Sequence, residues 1–131
     1  MNPAVTIARV LLADDHAEIL ARVASVIADE FVLVGSVANG LDLIAAAARL
    51  DPDVVILDIA MPGINGIEAA RQLRRAGCRA KVVFLSVHED PDYVRAAMDA
   101  GGAGYVAKAQ LVSHLVPAIR QALARQCLPR Q

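Results

Sequence analysis

The sequence predicts an α/β fold, a doubly wound five-stranded parallel sheet with helices on both faces. Three observations carry that prediction. Short apolar runs alternate five times with segments whose apolar residues recur at helical spacing. One run, Val54-Val55-Ile56-Leu57, is apolar at every position and reads as a strand buried on both faces. The runs also end on polar residues of a restricted kind: Asp14, Asp58, Ser86 and Lys108.

Val5 to Ala13 is apolar apart from Thr6 and Arg9, a first strand ending at Asp14-Asp15. Ala17 to Ala28 places Ile19, Leu20, Val23, Val26 and Ile27 on one helical face. Phe31 to Val34 is a second strand, closed by Ala38-Asn39-Gly40, and Leu41 to Leu50 is an alanine-rich helix stopped by Asp51-Pro52. The strand Val54–Asp58 leads into the loop Met61-Pro62-Gly63-Ile64-Asn65-Gly66. Gly66 to Ala76 is a third helix, with Ile67, Ala70 and Leu73 inward, Glu68, Arg71, Arg74 and Arg75 outward, and Gly77 at its end.

Lys81 to Ser86 is a fourth strand. Asp90-Pro91 opens the next helix with a capping carboxylate and a proline where the missing N–H costs nothing, and Gly101-Gly102 follows its end at Asp99. Gly104 to Lys108 is a short fifth strand. A last helix spans Ser113 to Arg125, with Pro117 demanding either a late start or a kink near the first turn. Right-handed crossovers make the flavodoxin-like arrangement the natural one and leave the strand order open.

A chain of 131 residues is the size of one domain, read here as residues 1–131, with about 120–131 as helix end and tail or linker start. Hydrophobic residues make up 56% and aromatics only 3%, so the core is built from Ala, Val, Leu and Ile. A net charge of −1 gives no reason to expect nucleic acid or an anionic membrane as partner. The sequence contains no bilayer-length apolar stretch and no signal-peptide pattern, and Cys78 and Cys127 lie too far apart for a metal or redox motif. The expectation is a cytoplasmic protein with free thiols.

In a parallel sheet all strand carboxyl ends share one edge, which gathers Asp14, Asp15, Asp58, Ser86 and Lys108. Carboxylates crowded together repel one another unless a cation joins them, and hard oxygen donors with room for water suit Mg²⁺. With a metal and an ammonium beside it, a carboxylate can attack phosphorus and form an aspartyl phosphate. Singly, each residue has a plainer reading. Asp15 with Glu18 makes a capping-box pattern, Ser86 suits a strand end, and Lys108 suits a solvated surface. The set at one edge carries the functional reading.

Four stretches carry a resemblance: Leu11-Leu12-Ala13-Asp14-Asp15-His16, Asp58 through Glu68, Leu85 through Asp90, and Ala100 through Lys108. With these stretches the chain resembles the receiver domains of bacterial two-component response regulators, the CheY-like family, most closely the NarL or LuxR type. The resemblance implies that Asp58 accepts a phosphoryl group from the phosphohistidine of a sensor histidine kinase. It implies Mg²⁺ bound by Asp15, Asp58 and the Ala60 backbone carbonyl, with Asp14 acting mainly through water. Ser86 and Lys108 would contact the phosphoryl group, and Tyr105 would be the aromatic switch that follows Ser86. The output face would be Asp90 to Arg125, used for homodimerisation. This segment itself would bind no nucleic acid: the resemblance implies either the receiver piece of a longer transcription factor, with a DNA-binding domain beyond Gln131, or a single-domain regulator acting through protein contacts.

Departures from the family pattern are few. Ala109 replaces a common proline. Ala60 and His88 occupy positions thought to tune dephosphorylation, and Gly101-Gly102 is an unusually loose turn without a functional account. His16 and His114 lack partners at metal-ligand spacing and read as helix-start and surface residues. Arg71, Arg74 and Arg75 read as a solvated face, and Tyr93 as a helix surface or partner contact. Three other functions compete. A phosphorylation-independent interaction module would not need all five site residues. A haloacid-dehalogenase-type phosphatase would carry an Asp where Ala60 stands. A nucleotide-binding Rossmann domain would need a glycine-rich turn after the first strand.

Overall fold

The computed structural model describes residues 7–125. Along them β1 is Arg9–Ala13, α1 Ala17–Ile27, β2 Val32–Val37, α2 Gly40–Leu50 and β3 Val54–Asp58. Then follow α3 Gly66–Arg75, β4 Lys81–Ser86, α4 Pro91–Asp99, β5 Gly102–Ala107, a 3-10 turn Lys108–Gln110, and α5 Leu111–Arg125. The four strand pairings are parallel and the sheet order is β2-β1-β3-β4-β5. The expected doubly wound sheet is present, and its strand order is now fixed.

Alternation along the strands divides the core in two. Leu11, Ala13, Val55, Leu57, Val82 and Phe84 pack on one face with α2, α3 and α4. Val10, Leu12, Val54, Ile56, Val83 and Leu85 pack on the other with α1 and α5. Each Val, Leu, Ile or Phe side chain among them contributes about 1.5–3 kcal/mol by leaving water, so both helix layers are held by the same three central strands. All five residues of β3 are buried. From β1 the chain crosses outward to β2, and from β3 it crosses the opposite way to β4. The carboxyl ends of β1 and β3 therefore flank the topological switch point, where a crevice opens.

Several expectations need correction. Strand β1 starts at Arg9, with Ile7 and Ala8 before it and Val5 and Thr6 outside the described residues. β2 runs three residues further than expected, to Val37, because an edge strand tolerates Gly35 and Ser36 in its half-exposed pleat. β5 begins at Gly102 and ends at Ala107, so Lys108 opens the following 3-10 turn instead of closing the strand. The Gly101-Gly102 turn is close-packed. Gly101 has φ +105 with the Arg74 guanidinium 2.9 Å from where a Cβ would stand, and a Cβ on Gly102 would meet Phe84 and the Ala97 carbonyl at 2.9 Å.

Helix α5 does not start late, and it runs through Pro117. It begins at Leu111, and Leu111, Leu115, Ile119 and Ala122 are buried along one stripe. Pro117 lies on the exposed face, where water can satisfy the carbonyl its missing N–H leaves unpaired. The caps at Asn39, Asn65 and Asp90 each accept a backbone N–H from the first turn of their helix. Cys78 is a free, half-buried thiol, while Cys127 and the rest of the tail from Gln126 lie outside the described residues.

Candidate functional site

The expected edge is where the carboxylates meet. Asp14 follows β1 and Asp58 is the last residue of β3, and both are buried, at 7% and 2% exposure. Lys108 comes in from the turn after β5, itself 9% exposed. Its Nζ lies 2.9 Å from Asp14 Oδ2 and 3.3 Å from Asp58 Oδ2. Both Oδ2 atoms are buried, and the Lys108 ammonium is the cation that meets them. Asp58 Oδ1 accepts a long hydrogen bond, 3.3 Å, from the Ala60 N–H.

The electrostatics follow from that crowding. Burial, and then the neighbouring Asp14 charge, hold the Asp58 carboxyl above its ordinary range, with Lys108 offsetting only part of the effect. Asp15 is more exposed and stands on the solvent side of the cluster. His16 reaches back over both carboxylates, Nδ1 lying 2.9 Å from Asp14 Oδ1 and 3.2 Å from Asp15 Oδ1. Its hydrogen bond to Asp14 raises the imidazole pKa against the opposing charge of Lys108.

His16 stands at the start of α1, as expected, but its ring is not without acidic partners: it meets the two residues immediately before it. Asp15 is not the cap of α1: His16 occupies that position, with no side-chain capping bond. One donor atom from each of Asp14, Asp15, His16 and Asp58 lies within 4.8 Å of the others.

Those donors fit a hard divalent cation. Three carboxylates face one ammonium, which the buried Oδ2 atoms of Asp14 and Asp58 share, so the site is short of positive charge. Asp15 and Asp58, with Asp14 behind them, are the residues that would hold it.

Ser86 and Tyr105 are placed nearby but not in polar contact with the carboxylates. Ser86 is fully buried and its Oγ accepts the His88 N–H at 3.0 Å. The half-buried Tyr105 donates its hydroxyl to the His88 carbonyl at 2.7 Å. The His88 ring stacks on the partly exposed Tyr93 with centroids 4.5 Å apart. A cleft of about 340 Å³, lined by His16, Ile19, Val87 and Lys108 among others, opens beside the site.

A doubly wound sheet with carboxylates and a lysine gathered at its switch point is the architecture of a signalling receiver. The chain belongs to the response regulator receiver domain family, whose model matches residues 10–120. It is 39% identical over 120 residues to the response regulator GacA of Pseudomonas aeruginosa, covering 90% of this chain and 56% of that protein. It is 36% identical over 119 residues to the nitrate/nitrite response regulator NarL of Escherichia coli K12, covering 89% and 55%.

Among solved structures it is similar to a LuxR-family two-component response regulator from Aurantimonas, with a TM-score of 0.87 and 30% identity. That likeness covers 92% of this chain and 87% of the other. A LuxR-family DNA-binding response regulator from Staphylococcus aureus matches at TM-score 0.83 and 27% identity, over 89% and 99%. The chain is thus a receiver of the NarL/LuxR type, and it spans a little over half the length of the curated relatives it matches. Among the described residues no helix is long and apolar enough to cross a membrane.

Proposed function

We propose that this receiver takes a phosphoryl group onto Asp58 from the phosphohistidine of a sensor histidine kinase and thereby switches its output surface. The observation that carries the reading is the Asp58 carboxylate itself. It ends a wholly buried strand, shares Lys108 with Asp14, and is held above its ordinary range by burial and by the Asp14 charge. A carboxylate oxygen of Asp58 would attack phosphorus as the donor's P–N bond breaks, and the electron pair leaves on the donor imidazole.

Lys108 sits where its ammonium would shift from the carboxylates to a phosphoryl oxygen. Mg²⁺, held by Asp15, Asp58 and the Ala60 carbonyl, with Asp14 through water, would supply the charge that lets an anion approach three carboxylates. Ser86 would turn its hydroxyl toward the phosphoryl group and leave the His88 N–H, and Tyr105 would follow through their shared neighbour. The receiver would catalyse this transfer and the later hydrolysis without turning over a metabolite.

The surface that changes would be Asp90 to Arg125, serving homodimerisation. In the whole protein it would regulate transcription through a DNA-binding domain, in the cytoplasm. Intact-mass measurement after incubation with a small acyl phosphate tests the core of this. The expected result is one added phosphoryl group that requires Mg²⁺ and is absent in Asp58→Ala. No mass gain under any condition would favour a phosphorylation-independent interaction module.

A further inference from the structure

We propose that His16 is a ligand of the carboxylate cluster, fitting it for a divalent first-row transition ion as well as for Mg²⁺. The inference rests on the reading that Asp15 and Asp58 hold a divalent cation, and adds to it a nitrogen donor and a change in metal preference.

The geometry is that of neighbouring ligands. Donors bonded to one ion at about 2.0–2.2 Å and at right angles lie about 3 Å apart. His16 Nδ1 is 2.9 Å from Asp14 Oδ1 and 3.2 Å from Asp15 Oδ1. The local backbone aims the ring there: the His16 N–H donates to Asp14 Oδ1 at 2.8 Å, folding the residue back over the carboxylate that precedes it. At the start of α1 the imidazole makes no capping bond, and its polar ring contacts are those with Asp14 and Asp15.

A proton on Nδ1 occupies the space between imidazole and carboxylates that an ion would take. The side chain is 57% exposed, so the ring can carry its proton on Nε2 and offer the Nδ1 lone pair.

The second observation is independent of the histidine. Asp14 Oδ2 and Asp58 Oδ2 are buried and share the single Lys108 ammonium, so with Asp15 three carboxylates have one lysine charge between them. An all-oxygen set suits Mg²⁺, whereas adding an imidazole favours the transition ions, which bind nitrogen far better than Mg²⁺ does. His16 is therefore the residue that sets selectivity between the two.

Calorimetric titration of the metal-free protein with MgCl₂ and, separately, CoCl₂ tests this, on wild type, His16→Ala, His16→Gln and Asp58→Ala. The inference expects both His16 variants to bind Co²⁺ about tenfold more weakly or worse, with Mg²⁺ affinity within about threefold of wild type. In the protein with labelled histidine, Zn²⁺ should shift the His16 Nδ1 resonance while Nε2 keeps its proton.

Equal losses for both ions in the His16 variants would reduce His16 to a residue that positions Asp14. An unchanged Co²⁺ affinity would leave the imidazole unliganded. Either result overturns the inference while Mg²⁺ binding that depends on Asp58 keeps the parent reading. Binding of both ions that ignores Asp58→Ala would sink the two together.

Discussion

The Tyr105 hydroxyl is hydrogen-bonded to the backbone carbonyl of His88 at 2.7 Å, fastening the middle of β5 to the loop that leaves β4. On its other side the His88 N–H donates to Ser86 Oγ at 3.0 Å. One residue's peptide groups are thus gripped by the two side chains expected to move on activation. Ser86→Ala and Tyr105→Phe should each cost about 1 kcal/mol in urea denaturation. Because they hold the same residue, the double variant should fall short of their sum by about 0.5 kcal/mol or more. Strict additivity would mean the two grips act independently and that His88 does not link them.

Asp58 should be a source of instability in the metal-free protein. Its carboxyl is raised on folding by burial first and by Asp14 second. A group raised in this way lends stability that is fully present below its unfolded pKa and is lost as pH rises through the folded value. Asp58→Asn removes the charge and should raise Tm at pH 7 by roughly 2–5 °C in a Mg²⁺-free buffer. The two melting curves should converge below about pH 4, where Asp58 is protonated in both states. Adding Mg²⁺ should stabilise wild type and not the variant. A variant that melts lower than wild type at pH 7 would contradict the charge argument.

How far the sequence was legible depended on what each signal encodes. β3 could be bounded to the residue because every position of Val54–Asp58 is buried, so no alternation blurs its ends. α4 was equally plain from Asp90-Pro91. Hydrophobic periodicity reports which face a residue occupies and not which strand lies beside it, so the order β2-β1-β3-β4-β5 had to come from the structure. The edge strands were misjudged where Gly35, Ser36 and Gly102 dilute the pattern. Asp14, Asp15, Asp58 and Lys108 could be placed side by side because strand ends of one sense share one edge. The contacts of the His16 ring and the His88 clasp could not be read, since the first depend on a fold-back onto adjacent residues and the second on main-chain groups that any residue type supplies.

Gly66 marks a different constraint on the same site. As the first residue of α3 it donates its N–H to the Ile59 carbonyl at 2.7 Å. A Cβ built there would stand 2.2 Å from the Asp58 carbonyl oxygen and 2.8 Å from Ile59 Cα, both backbone atoms that cannot rotate aside. Gly66→Ala should therefore cost about 1–3 kcal/mol and push the Asp58 backbone outward. Amide spectra should show the largest shifts at Asp58, Ile59 and Ala60, with slower phosphorylation by an acyl phosphate. Unchanged amide shifts at those three residues would show that the loop absorbs the methyl group elsewhere.

Lys108 sets the charge balance between the two buried carboxylates, and its removal should show as a pH-dependent loss of stability. Its Nζ touches Asp14 Oδ2 and Asp58 Oδ2, and its charge pulls against the upward push on Asp58. Lys108→Met keeps most of the buried stem and deletes the ammonium, so the cost reads charge more than packing. Leaving the pair uncompensated should cost on the order of 3 kcal/mol at pH 7 without divalent ions. With Asp58 raised still further, that loss should shrink as pH falls and the carboxyl protonates, and it should also shrink as Mg²⁺ binds the folded state. Urea denaturation of wild type and variant at pH 7 and pH 4.5, with and without Mg²⁺, measures all of this. A deficit that stays constant across those four conditions would assign Lys108 a packing role and remove the ammonium from the electrostatics of the site.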